Sequence, residues 1–186
     1  RKHTRKSVED HLPYGSNGDM VPEMAHAGEG YKSHVTGLTH DERGYPNMTP
    51  QTQDKLVRRL QNKIRTAADR ICLFEEDGID GADVVVLSYG ITSRVAQRAV
   101  QMARERGLTV GKLRLITAWP FPDKKIAEIA AKVKALVVPE LNLGQMVREV
   151  ERAAQGKAKT IALPHAGGGV HNPDQILNAI LEASRC

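Results

Sequence analysis

From residue 71 onward, apolar residues recur with two periods in alternation. Val84-Val85-Val86-Leu87 is an unbroken aliphatic run, followed by Ser88-Tyr89-Gly90-Ile91-Thr92-Ser93 and then by residues spaced for a helix. Such a run predicts a fully buried parallel strand that turns into a helix, half of a βαβ unit. The helix over 93–106 keeps Val95, Ala99, Met102 and Ala103 on one face, and Gly107 ends it. The same alternation continues with a strand over 110–117, a helix from Pro122-Asp123 with Ile126, Ile129, Ala130 and Val133 inward, and a strand over 135–139. A helix over 143–154, a strand over 159–163 and a last helix capped by Asn172-Pro173-Asp174 complete the series. Ahead of it, Ile71-Cys72-Leu73-Phe74-Glu75-Glu76 is a short apolar run bounded by Asp77-Gly78. It reaches the Val84 strand by a turn rather than a helix, so it is expected to be antiparallel and at an edge. Single helices between strands require right-handed crossovers and a sheet covered on both faces. The predicted fold class is therefore α/β, a three-layer α/β/α sandwich on a mixed five-stranded sheet with one antiparallel edge strand.

Residues 1–53 hold no sustained period and are rich in Pro, Gly, His and Asn. A stretch of that length without its own periodicity reads as an extended arm or linker from a preceding domain, with residues 54–186 forming the α/β domain. Thr49-Pro50 suits a helix start, with Gln53 near the place of a capping partner. Leu56, Leu60, Ile64, Ala67 and Ala68 then share one face of a helix running to Ala68 or Arg70. The chain has 186 residues and opens on Arg, so a piece of a longer polypeptide is expected.

The net charge is +5, concentrated at Arg1 to Lys6 and along Arg58, Arg59, Lys63, Arg65 and Arg70. Basic clusters can bind nucleic acid, but aromatic residues make up only 4% and no recognition motif accompanies the charge. A solvated face or an acidic subunit contact is the better reading, and no nucleic-acid partner is expected. Two cysteines form neither a disulfide framework nor a Cys-x-x-Cys pair, which points to a reducing cytoplasm. No apolar run approaches a membrane span or a signal peptide.

The candidate chemistry gathers where strands end, since ligands of open α/β sheets bind beyond the strand carboxyl ends. Dinucleotide, Walker and nucleophile-elbow motifs are missing. Ser88 and Gly90 suit a strand-to-helix turn, with ligand binding as the second reading. His165-Ala166-Gly167-Gly168-Gly169-Val170-His171 could hold an anion on its amides or a metal on its histidines, but no third ligand completes a site, and a flexible or interface loop is the better reading. At the end of the 135–139 strand, Asn142 suits a helix cap and Glu140 an ion pair across an interface, with Gln145 beside them.

Four segments in order, Thr36 to Pro46 (TGLTHDERGYP), Ala82 to Gly90, Trp119-Pro120-Phe121-Pro122 and Val138 to Gln145 (VPELNLGQ), together resemble the C-terminal part of the alpha subunit of 2-oxoacid:ferredoxin oxidoreductases, most like the 2-oxoglutarate members. The resemblance implies oxidative decarboxylation of 2-oxoglutarate to succinyl-CoA with reduction of ferredoxin. It implies thiamine diphosphate, Mg²⁺ and a [4Fe-4S] cluster in the whole enzyme, expected on a beta subunit, with coenzyme A and ferredoxin as further partners. This chain alone is expected to bind none of these cofactors and to be inactive, its domain resembling the C-terminal domain of transketolase. Its role would be subunit assembly and closure of the active-site cleft. No catalytic or metal-binding residue is assigned. Arg43, Gly90, Ser93, Asn142 and Gln145 are candidates for positions near substrate or cofactor, and Trp119, Phe121 and Glu140 for an interface. The alternatives are a pyruvate or branched-chain 2-oxoacid member of the family and a stand-alone interaction or regulatory domain.

Overall fold

The computed structural model describes residues 1–185. The chain divides into two compact units, Arg1–Asp69 and Arg70–Cys186, with the break after Asp69 inside a four-residue helical turn.

The second unit contains β1 (Phe74–Asp77), β2 (Val84–Tyr89), α3 (Thr92–Glu105), β3 (Val110–Leu115), α4 (Asp123–Ala130), β4 (Ala135–Glu140), α5 (Met146–Ala154), β5 (Lys159–Pro164) and α6 (Pro173–Ala183). The sheet order is β1-β3-β2-β4-β5, with β1 antiparallel to β3 and every other pair parallel. This is the mixed five-stranded sheet with an antiparallel edge strand that the alternation predicts. Because strand side chains alternate in direction, β2 feeds two cores at once. Val85 and Leu87 join Leu113, Leu115, Leu136 and Val138 beneath α4 and α5, while Val84 and Val86 join Val110, Ala135 and Val137 beneath α3 and α6. Val84 to Ser88 are fully buried.

Among the element boundaries that differ from the sequence reading, two have a visible local reason. The edge strand begins at Phe74 rather than Ile71, because the segment before it is clamped by Thr117: the Thr117 hydroxyl donates to Ile71 O at 2.8 Å and accepts from Leu73 N at 3.3 Å. Helix α5 begins at Met146 rather than Leu143, because side chains of the preceding loop take the amides that would have opened it.

The first unit contains α1 (Pro50–Arg65) and the start of the short α2 (Ala68–Ile71). Thr49 caps α1 by accepting from Thr52 N, as the sequence suggests, but Gln53 does not complete a capping box; its side chain accepts from the Thr39 hydroxyl. Most of this unit is turns tied by backbone bonds, such as Thr4 N to Met24 O at 2.8 Å and Tyr14 N to Glu42 O at 3.0 Å. Its fully buried residues are Pro22 and Gly44, so it has no aliphatic core of its own. None of the described helices is long and apolar enough to cross a membrane.

Stability should therefore be unevenly distributed. Amides of β2 and β4 are expected to exchange with solvent only on global opening, at about 5–15 kcal/mol, and those of residues 1–48 on local opening at a small fraction of that. Hydrogen exchange read by mass spectrometry checks this, and equal protection in the two segments would refute it.

Candidate functional site

The carboxyl ends of β2 and β4 are joined by a closed set of polar contacts. Glu140, the last residue of β4, is 1% exposed, and both carboxylate oxygens are engaged. Oε1 accepts from Met146 N at 2.7 Å, from the Tyr89 hydroxyl at 3.2 Å and from Asn142 Nδ2 at 3.3 Å. Oε2 accepts from Val147 N at 3.0 Å. A carboxylate on the first amides of α5 satisfies donors that have no partner within the helix and faces the positive end of its dipole. Asn142 closes the set: Nδ2 also donates to the Tyr89 hydroxyl at 3.1 Å, and Oδ1 accepts from Gly144 N at 2.8 Å and Gln145 N at 3.1 Å.

Burial, then the charge of Glu140, pushes the Tyr89 phenol above its usual value. Tyr89 is therefore a proton-bearing donor at neutral pH, and the Glu140 carboxylate already has four donors around it. This arrangement fixes the loop Leu141 to Gln145. The interface ion pair expected of Glu140 is replaced by these internal bonds, because the end of β4 directs the side chain at the start of α5. Asn142, expected to cap this helix, instead binds the loop amides of Gly144 and Gln145, because Glu140 already takes the first amides of α5.

At the end of β2, Gly90 adopts φ +57°, a conformation glycine enters without strain. The Thr92 hydroxyl donates to Tyr89 O at 2.6 Å and starts α3. Ser93 is buried, with a hydroxyl that has no hydrogen-bond partner. Gln145 is exposed just before α5. Beyond β3, Phe121 packs into the core under α4 while Trp119 is 66% exposed. Topology thus brings Gly90, Ser93, Trp119, Phe121, Glu140, Asn142 and Gln145 to one edge of the sheet. Arg43 belongs to the first unit, at the tip of the turn His40 to Pro46.

That edge has a property the sequence did not announce. Among the described residues of the second unit, the exposed large hydrophobic side chains are Leu73, Ile91, Ile116, Trp119, Leu141, Leu143 and Val170. All lie on the segments at the carboxyl ends of β2 to β5 or, for Leu73, at the start of antiparallel β1, whose carbonyl accepts from Ile116 N. Leu143, at the tip of the Glu140-anchored loop, is 81% exposed. An apolar patch confined to one face marks an interaction surface rather than ordinary surface scatter.

The glycine loop ends on this edge too. His171 is buried, its Nε2–H donates to Leu163 O at 2.9 Å, and its Nδ1 has no partner. The His165 ring lies 5.1 Å away, centroid to centroid. No group of three His, Cys, Asp or Glu among the described residues is placed to hold a metal ion. Tyr89 is the functional residue that pattern reading passed over; its signal is a phenol at the last position of an otherwise aliphatic strand, where a polar tip needs a partner.

Residues 82–176 match the family model described as pyruvate:ferredoxin oxidoreductase core domain II. The chain belongs to that family. This core domain II chain is 48% identical over 162 residues to the 2-oxoglutarate synthase subunit KorA of Methanocaldococcus jannaschii, a match covering 87% of this chain and 43% of that relative. The chain thus spans less than half the length of this relative. A solved 2-oxoglutarate:ferredoxin oxidoreductase from Magnetococcus marinus, with 2-oxoglutarate, coenzyme A and succinyl-CoA bound, matches with a TM-score of 0.81 at 30% identity, over 99% of this chain and 32% of that one. A split-gene transketolase, an inactive beta4 tetramer, matches with a TM-score of 0.52 at 16% identity over 60% of this chain and 41% of that one, a likeness of fold. The transketolase-like α/β class read from the sequence therefore stands.

Two outcomes test the roles assigned above. Glu140→Ala leaves the Met146 and Val147 amides and the Tyr89 hydroxyl without their acceptor, and urea unfolding should show a loss of about 3 kcal/mol, against about half that for Glu140→Gln; a loss within about 0.5 kcal/mol for Glu140→Ala would contradict the anchoring role.

The second concerns His171, whose pKa is lowered first by burial and then by His165, against the opposing hydrogen bond to Leu163. Because the folded state holds this proton less tightly than the unfolded chain, its contribution to stability is present above the ordinary value of about 6.5 and is lost as the pH falls through the lower folded value. The thermal midpoint should drop between about pH 7 and pH 5, and more shallowly in His171→Gln; parallel profiles would exclude the role.

Proposed function

We propose that this chain is part of the alpha subunit of a 2-oxoacid:ferredoxin oxidoreductase that converts 2-oxoglutarate to succinyl-CoA and reduces ferredoxin. In this reading the α/β unit holds subunits together and closes the active-site cleft. The observation that carries it is the apolar carboxyl edge, in a chain whose relatives along nearly its whole length are such oxidoreductase subunits. The edge commits to one occupant, a beta subunit of the same enzyme, which would cover Trp119, Leu143 and Ile91. Gly90, Ser93, Asn142 and Gln145 lie around it and would border the cleft.

Thiamine diphosphate with Mg²⁺ supplies the electron sink for loss of CO₂, and a [4Fe-4S] cluster the route to ferredoxin. The cysteines of this chain do not fit the cluster. A cluster takes four thiolates and the sequence has two cysteines, while the described residues hold no three-ligand metal cluster. In this reading both groups belong to the beta subunit.

The test is to co-express the polypeptide with a candidate partner bearing cluster cysteines and a diphosphate motif. The copurified complex is then assayed without oxygen for coenzyme A-dependent viologen reduction on 2-oxoglutarate, pyruvate and 2-oxoisovalerate. Turnover should be fastest on 2-oxoglutarate, and Leu143→Glu should weaken copurification by about 10- to 100-fold, the worth of one buried leucine. Preference for another acid would change the substrate. A cofactor-loaded complex inactive on all three would leave an interaction domain instead.

A further inference from the structure

We infer that the first unit carries an oxyanion-binding site built around Arg43 and Lys32, for the carboxylate or phosphate group of a small acidic metabolite.

The turn that presents Arg43 is tightly constrained. The Asp41 carboxylate accepts from Arg43 N at 2.9 Å and from Tyr45 N at 3.1 Å, while Asp41 N donates to Tyr45 O at 3.0 Å. Gly44, next to Arg43, has φ +92° and no room for a side chain: a Cβ there would lie 2.4 Å from His34 O and 2.8 Å from the Tyr14 ring. The backbone around Arg43 is therefore held by three hydrogen bonds and by close packing at Gly44, although the side chain itself is exposed.

Two cavities of similar size flank this turn. One, of about 340 Å³, is lined by Glu42, Lys55 and Arg59, and its cations are already engaged: Lys55 pairs with Glu42 at 2.7 Å, and Arg59 donates to Met20 O at 3.3 Å. The other, of about 330 Å³, is lined by Arg43, Lys32, His11, His34, Tyr45 and Glu9. Neither the Arg43 guanidinium nor the Lys32 ammonium has an ion pair or hydrogen bond among the described residues, and a single carboxylate, Glu9, lines the cavity with them. The volume lies at the low end of small-molecule sites. A guanidinium fork takes a carboxylate or phosphate by two parallel bonds, and a lysine adds a point charge. Tyr45, stacked on His34 at 5.2 Å between ring centroids, walls one side. An unspent guanidinium on a constrained turn and an unspent ammonium lining the same cavity, beside an otherwise similar cavity whose cations are spent, favour an anion in the second cavity.

The experiment is a titration of the assembled protein by calorimetry, and so reads binding whether or not the proposed turnover exists. Inorganic phosphate and coenzyme A probe the phosphate source; 2-oxoglutarate and succinate probe the carboxylate source. At least one arm should bind, with Arg43→Ala and Lys32→Ala each weakening it about tenfold and Arg43→Lys weakening it less than Arg43→Ala. Both positions are exposed, and an unchanged circular dichroism spectrum shows that the variants fold. Binding in one arm that the variants reduce identifies the source. Binding in neither arm at millimolar concentration, or binding that both variants leave intact, overturns the inference.

Discussion

Everything in the second unit depends on β2 being buried on both faces. Val84 to Leu87 have no polar side to turn toward water, so the strand must be roofed by helices above and below, and only a parallel neighbourhood with crossover helices supplies both roofs. The two cores are the two sides of that one constraint. It also dictates that every crossover loop leaving β2 to β5 returns from the same edge, because parallel strands end together.

That edge is where the unit differs from a self-sufficient α/β domain. The helices and the opposite edge are finished with charge, whereas the carboxyl edge is finished with Ile91, Trp119 and Leu143, exposed side chains whose burial would stabilise a complex. The polar set beneath it, Tyr89, Glu140 and Asn142, keeps the most exposed loop in one shape, so the apolar surface is presented on a rigid support. A flexible tip would lose conformational entropy on docking that a fixed one has already lost. Membership of the core domain II family gives this surface its setting.

The first unit follows another logic. Without an aliphatic core, it is held by turn geometry and backbone bonds, and its tightest feature is the turn between His40 and Pro46. That turn carries Arg43, whose guanidinium has no partner among the described residues, and the proposed anion site rests on it.

The periodicity of the chain was enough to determine the fold class. The aliphatic run at Val84, the 3.6-residue spacing in α3 to α6, and the caps at Thr49 and Asn172 are local signals, legible because each depends only on neighbours within a few residues. Only the tertiary structure decided that Glu140 would turn inward, since its partner Tyr89 lies 51 residues away and meets it only because β2 and β4 are neighbours in the sheet. It alone separated Trp119, exposed, from Phe121, buried two residues later, and placed Lys32 in one cavity with Arg43. Strand order and loop path set these encounters, and neither is written in the pattern of any single segment.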